Sequence, residues 1–86
     1  MDLEKQFLDA QARVKNLSHQ PASNVLLDLY SLYKQATDGD VSDSKPGMFD
    51  FKGVAKYDAW TSRKGMLKEE AMESYIELVN RLQSES

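Results

Sequence analysis

Residues 25–33 read VLLDLYSLY, and this stretch decides the fold. The strict alternation of apolar and polar side chains that is typical of a half-buried strand is missing. As a helix, the segment is apolar on more than one side, so it must contact more than one neighbour, or a neighbour and a ligand. We predict a helix that begins near Pro21, is capped by Ser23, and stops at Thr37-Asp38-Gly39 with Gly39 as a left-handed cap.

Two further segments, one towards each end of the chain, show helical periodicity. Apolar residues recur in both at steps of three and four, the period of one helix face. The sequence therefore predicts a first helix from Leu3 to Lys15 and a last helix from Lys68 to Gln83. In the first helix the apolar residues are Leu3, Phe7, Ala10, Val14 and Leu17. In the last helix they are Ala71, Met72, Tyr75, Ile76, Leu78, Val79 and Leu82.

A third helix is predicted from Phe51 to Ser62, with Phe51, Ala55 and Ala59 on one side and Trp60 beside them. A long loop, residues 40–50, precedes it and lacks the residue spacing of a calcium-binding loop. Short connections make antiparallel neighbours, whereas this loop can carry the chain along the whole bundle, so the second and third helices can run parallel. We predict an all-α, four-helix protein with a single domain, residues 1–86.

Composition and charge argue against several functions. The 86 residues include no cysteine and carry a formal net charge of −3, which favours a reducing compartment such as the cytoplasm and disfavours nucleic acid as a partner. No apolar stretch approaches the ~20 residues that span a bilayer, so stable membrane insertion is not expected. His19 is the only histidine and lies in a predicted loop, so we expect no metal, no cofactor and no catalysis.

One face of the central helix changes along its length from aliphatic through aromatic to cationic. Its residues, three or four positions apart, are Leu26, Leu27, Tyr30, Tyr33 and Lys34. Lys52 and Lys56 share a face of the third helix, with Tyr57 next to Lys56, and Tyr75 lies on an apolar face of the last helix. If these faces converge, they form a groove for an amphipathic anion with a flat ring and an apolar tail. Core tyrosines and solvated lysines would give the same spacing, so spacing alone leaves both interpretations open.

Longer blocks of the sequence resemble a known family, the acyl-CoA-binding proteins, also called diazepam-binding inhibitors. The blocks are Tyr30-Ser31-Leu32-Tyr33-Lys34-Gln35-Ala36-Thr37, Gly39-Asp40, Pro46-Gly47-Met48, Asp50-Phe51-Lys52-Gly53, Ala55-Lys56 and Asp58-Ala59-Trp60. The resemblance covers nearly the whole chain. It implies an up-down-down-up four-helix bundle that binds one medium- to long-chain fatty acyl-CoA thioester. It also implies a monomeric, non-catalytic carrier and buffer that delivers its ligand to acyl-CoA-using enzymes.

The resemblance also implies roles for individual residues. The 3′-phosphate of coenzyme A would be held by Tyr30, Lys34 and Lys56, and the adenine would pack against Tyr33. The acyl chain would lie in a groove that includes Leu27 and Tyr75. Lys15 and Tyr57 are also expected to contact the ligand. The complete set of expected ligand-binding residues is Lys15, Leu27, Tyr30, Tyr33, Lys34, Lys56, Tyr57 and Tyr75.

Four positions depart from the family pattern. Tyr57 stands where many animal members have tryptophan, and Val54 and Gln20 stand where lysine is frequent. Leu67 replaces a serine or threonine, which weakens the cap of the last helix by about 0.5–2 kcal/mol if nothing substitutes. These departures bear on affinity and chain-length preference.

Three rival functions fit the sequence less well. An interaction bundle that has lost its ligand would have a disrupted Tyr30–Lys34 face, which is intact here. A lipid-metabolising enzyme would need a nucleophile and a base. Membrane association through an exposed apolar helix is disfavoured by the acidic balance, although transient donation of ligand at a membrane stays open.

Overall fold

The computed structural model describes residues 2–85, and all the regular structure in this range is helical. The helices are α1 (Leu3–Val14), α2 (Ser23–Asp38), α3 (Phe51–Thr61) and α4 (Lys68–Glu85). Each boundary lies within about two residues of the sequence prediction, which is the ordinary uncertainty of a helix end. The all-α prediction is confirmed.

The starts of the helices are fixed by different side chains. The Asp2 carboxylate accepts a hydrogen bond from the backbone N–H of Lys5 at the start of α1. Asp50 caps α3 in the same way by accepting from the backbone N–H of Gly53 at 3.0 Å. A Cβ atom on Gly53 would lie only 2.3 Å from Asp50 Oδ2, so this cap requires glycine.

The predicted caps of α2 differ from those in the structure, and at α4 another side chain stands in for the missing cap. Ser23 is the first helical residue of α2 and not its cap, and the cap position, Ala22, makes no side-chain hydrogen bond. Gly39 has the expected positive φ of 81°, but its ψ of −149° places it outside the left-handed helical region and in one that only glycine populates readily. At α4, the Glu70 carboxylate accepts from the backbone N–H of Leu67 at 3.0 Å, which compensates in part for the missing hydroxyl.

The long loop makes α2 and α3 parallel. The indole N–H of Trp60, near the end of α3, donates to the carbonyl of Gly39 at the end of α2 over 2.8 Å. At the other end, Ser23 and Lys52 line one cavity close to the first turns of the two helices. Both helices therefore point the same way.

The α4 helix fixes the remaining directions. Arg13 at the end of α1 donates to Asn80 in the last third of α4 at 2.8 Å, so α1 and α4 are parallel. Val25 near the start of α2 and Leu82 near the end of α4 line one cavity, so these two helices are antiparallel. The order is therefore up-down-down-up.

The core lies between α1, α2 and α4. Its buried residues are Phe7, Ala10, Leu29, Leu32, Ala36, Ala71, Tyr75 and Val79. Ala10 and Ala71 are fully buried, and such small side chains leave room for the larger residues that pack around them. The packed core thus holds the inner face of α2 in place and leaves its outer face available to α3 and to solvent.

Candidate ligand-binding cleft

The larger of two adjacent cavities opens between α2, α4 and the α1–α2 connection. Its volume is about 560 Å³. Four of the residues expected to bind a ligand line it, namely Lys15, Tyr30, Tyr33 and Tyr75. The rest of the wall consists of Val14, Leu17, His19, Gln20, Pro21, Leu26 and Leu29. The cavity therefore combines aromatic and aliphatic walls with cationic and polar groups.

The smaller cavity lies between the first halves of α2 and α3 and has a volume of about 230 Å³. Its wall is formed by Ser23, Leu26, Leu27, Tyr30, Lys52, Ala55 and Lys56. Leu27 and Ala55 are half-buried, whereas Lys52 and Lys56 are exposed. The result is a mainly aliphatic slot with two ammonium groups beside it.

Leu26 and Tyr30 line both cavities and form a ridge between them. The two residues are four apart on α2 and so share one helix face. Leu26 is 38% exposed, so the ridge is accessible from solvent. The two cavities are therefore parts of one cleft, which is aromatic and polar on one side of the ridge and aliphatic on the other.

Tyr30 and Lys56 meet across the α2–α3 interface. The Lys56 ammonium lies 5.3 Å from the centroid of the Tyr30 ring, a cation–π distance. Spacing left open whether these two side chains converge from different helices, and the family resemblance implied that they do. The structure brings them together, next to the ridge.

Lys34 lies elsewhere on α2. Its ammonium forms an ion pair with Asp38 at 2.5 Å and lies 4.7 Å from the centroid of the Trp60 ring. The hydrogen bond to the Asp38 carboxylate raises the pKa of Lys34. Lys34 is not among the described residues that line the two cavities.

An aromatic contact with the core fixes the ring of Tyr75. Its ring meets that of Phe7 edge to face, with centroids 5.1 Å apart, and Phe7 also lies 6.1 Å from Tyr33. Tyr75 is only 5% exposed, and this burial raises the pKa of its hydroxyl group. The wall of the larger cavity is thus an extension of the core and is held rigidly.

The structure separates some of the expected ligand-binding residues. Leu27 lines the smaller cavity and Tyr75 the larger one, so they lie on opposite sides of the ridge within the cleft. Tyr57 is half-buried and lines neither of these two cavities. The role of each in ligand binding stays a prediction.

Other wall residues were missed as site residues. Leu17, His19, Gln20 and Pro21 reach the larger cavity because the α1–α2 connection folds against α2. Leu17 had been noted as part of the apolar stripe of the first segment and Gln20 as a position where lysine is frequent in the family, but neither observation placed them at the cavity. Lys52 was recognised as sharing a face with Lys56, but it was not assigned to the site.

Within residues 2–85, the structure offers neither a metal site nor a membrane-spanning helix. In this range no three acidic or histidine side chains come together in a way that could hold a metal ion. None of the described helices is both long and apolar enough to cross a membrane.

The bundle and its cleft are those of a small all-α protein with an amphipathic site, and comparisons with known proteins identify its family. The sequence profile of the family described as "Acyl CoA binding protein" matches residues 4–79. The acyl-CoA-binding protein homolog 1 of Caenorhabditis elegans is 50% identical over 76 residues, which are 88% of each chain. This chain belongs to the acyl CoA binding protein family, so the resemblance noted from the sequence is confirmed.

Solved structures agree in fold. The crystal structure of Oryza sativa Acyl-CoA-Binding Protein 2 superposes with a TM-score of 0.93 and 40% identity, covering 98% of this chain and 93% of that one. The crystal structure of a homologue from Moniliophthora perniciosa gives 0.90 and 37% identity, covering 99% and 83%. The four-helix architecture is therefore that of the family.

Proposed function

We propose that this chain is a non-catalytic carrier that binds one medium- to long-chain fatty acyl-CoA thioester in the cleft. The observation that carries the proposal is the ridge of Leu26 and Tyr30, which joins an aromatic, polar cavity to an aliphatic one. Acyl-CoA has the matching division, because an anionic nucleotide is linked to an apolar chain. Family membership supports the same ligand class.

The nucleotide end of the ligand belongs beside the ridge, where the Lys56 ammonium meets the Tyr30 ring, and its adenine lies on the aromatic side of the cleft. Tyr30, Lys34 and Lys56 bind the 3′-phosphate, since charge-assisted hydrogen bonds to phosphate are the strongest polar contacts available here. Tyr33 is 39% exposed, so its ring is available to stack on adenine. Lys15, on the wall of the larger cavity, adds positive charge for the remaining phosphates.

The acyl chain lies along the smaller cavity, against Leu27. A palmitoyl chain has about fourteen methylenes, and full burial at ~0.8 kcal/mol each gives roughly 11 kcal/mol before association costs. Tyr75 contacts the ligand from the larger cavity, near the junction of the two parts. The chain therefore supplies most of the affinity, and the phosphate contacts fix the orientation and select coenzyme A.

The same chemistry supports a carrier and not an enzyme. Within residues 2–85, the single histidine, His19, is exposed and has neither a thiol nor a second histidine to act with. We propose that a monomer with a single domain, residues 1–86, works in the cytoplasm. There it shields and buffers the detergent-like ligand and passes it to acyl-CoA-using enzymes.

Calorimetric titration with palmitoyl-CoA, CoA and palmitate tests this function. We expect the thioester to bind with a stoichiometry of one and far more tightly than either part. Lys34→Ala and Lys56→Ala should each weaken binding at least about tenfold, because one charge-assisted contact is worth about 1.5–3 kcal/mol. Circular dichroism should show that both variants remain folded.

Lys45→Ala is the matched control. It also removes one ammonium group, which lies 4.0 Å from Asp58. The Lys45 side chain is 62% exposed and lines neither cavity. Its affinity should equal that of the wild type. Failure of palmitoyl-CoA to bind the wild type would overturn the function, and unchanged affinity in both lysine variants would overturn the assigned phosphate site.

A further inference from the structure

Three polar residues lie one helical turn apart on a single face of α2, namely Tyr30, Lys34 and Asp38. Lys34, the middle residue of the three, forms an ion pair with Asp38. Its ammonium is 2.5 Å from Asp38 Oδ2, and its side chain is only 23% exposed. Lys34 therefore points towards the end of α2, whereas the site proposed for the phosphate lies towards Tyr30.

Besides the ion pair with Asp38, a contact with Trp60 stabilises Lys34 in this position. The ring of Trp60, 4.7 Å away, provides a π-face for the ammonium, and Asp38 supplies the charge. The Asp38 hydrogen bond is the largest cause of the raised pKa of Lys34, and Tyr30 contributes in the same direction. Lys34 thus lies within electrostatic reach of both Tyr30 and Asp38.

Asp38 also has a second cation nearby. Lys68, the first residue of α4, contributes to lowering the pKa of Asp38, although Lys34 is the main cause. A Cβ atom on Gly39, the residue after Asp38, would lie 3.5 Å from Cε of Lys68. The Lys68 side chain therefore passes the end of α2 beside Asp38 and can balance its charge.

We propose that Asp38 competes with the phosphate of the ligand for Lys34. On binding, the Lys34 ammonium moves from the Asp38 carboxylate to the phosphate, and Lys68 takes over as the neighbour of Asp38. Asp38 thereby lowers the affinity for ligands that bear the 3′-phosphate and sets how strongly this group is selected. This inference rests on the proposed function and deepens it.

Asp38→Asn tests the competition directly. The variant should bind palmitoyl-CoA about two- to fivefold more tightly, the scale found for exposed ion pairs. A palmitoyl ester of dephospho-CoA, which lacks the 3′-phosphate, should bind wild type and variant equally. In a Lys34→Ala background the Asp38→Asn change should have no effect, since there is no ammonium to release.

Asp9→Asn is the matched control, because Asp9 forms a similar i,i+4 ion pair with Arg13 at 2.8 Å on α1. It makes the same change in net charge and should leave the affinity unchanged. Equal or weaker binding of palmitoyl-CoA by Asp38→Asn would overturn the inference, as would an equal gain in Asp9→Asn or with the dephospho ligand. Each of these results requires that the wild type binds palmitoyl-CoA, so a failed inference is distinguishable from a failed function.

Discussion

The two sides of α2 are built differently. Its inner side packs against α1 and α4 in an apolar core, to which Leu29, Leu32 and Ala36 contribute. Its outer side faces α3, which has a single buried residue among those described, Trp60. The loop before α3 and the first residue of α3 carry exposed apolar side chains, including that of Phe49, which is 84% exposed.

Apart from the burial of Trp60, a few polar contacts attach α3 to α2. Trp60 donates to the carbonyl of Gly39, and Arg63 after α3 reaches back to Ser31 at 3.0 Å and to Asp28 at 3.3 Å. Elements with few buried apolar contacts open at lower free energy than the core. We infer that the helix that forms one wall of the cleft is also the one that moves most easily, whereas the other wall is fixed by the core.

The largest expected effect comes from breaking the core side. Leu32 is 3% exposed, and Leu32→Ala should lower the free energy of unfolding by about 2–5 kcal/mol through lost burial and a residual cavity. Phe51→Ala on the α3 side, where the ring is 76% exposed, should change it by less than about 0.5 kcal/mol. Urea unfolding measures both, and similar losses would mean that the two sides are equally packed.

A smaller effect should follow from loosening α3. Trp60→Phe keeps an aromatic ring but removes the indole donor to the Gly39 carbonyl, at a cost of about 1–3 kcal/mol. Hydrogen exchange of the backbone amides in α3 should increase more than exchange in α4. A uniform increase in both helices would contradict the idea that α3 opens separately.

The smallest expected change in stability concerns Asp40, which lies just after α2 and connects Gln35 with Gly65. Asp40 accepts from the backbone N–H of Gly65 and from Gln35, and these bonds, the Gly65 bond first, lower the pKa of Asp40 below its ordinary value of 3.8. An acid with a lowered pKa stabilises the folded state above its unfolded pKa, and this stabilisation is lost as the pH falls through the folded value.

Asp40→Asn should therefore destabilise the protein at pH 7, and the difference from the wild type should shrink below about pH 3.8. Unfolding by urea at a series of pH values measures this difference. A difference that stays constant down to pH 2 would show that the charge of Asp40 is not its cause.

Much of the core side was predictable from the sequence. Phe7 and Ala10 on α1, and Ala71, Tyr75 and Val79 on α4, lie on the faces that the three-and-four spacing indicated. The spacing was less informative for α3, where it placed Phe51 on one side with Ala55 and Ala59, because Phe51 is exposed whereas the two alanines are half-buried. Because α3 is short and packs against one neighbouring helix, it buries only part of the apolar side that its sequence indicates.

The polar contacts were beyond a sequence prediction. Gln35 is fully buried and donates to Asp40 and to the carbonyl of Met66, thirty-one positions away. The Lys34–Asp38 pair was visible in the spacing but was not singled out, because lysine and aspartate four apart are common on helix surfaces. Its importance depends on Trp60, which only the folded chain brings next to Lys34.

The position of Trp60 has an optical consequence. It is the only tryptophan of the chain, it is 1% exposed, and the Lys34 ammonium lies against the face of its indole ring. Indole emission responds to a charge next to the ring, so departure of that ammonium changes the fluorescence even when the indole itself stays in place. The proposed transfer of Lys34 from Asp38 to a ligand phosphate should therefore change the emission of Trp60 without any added label.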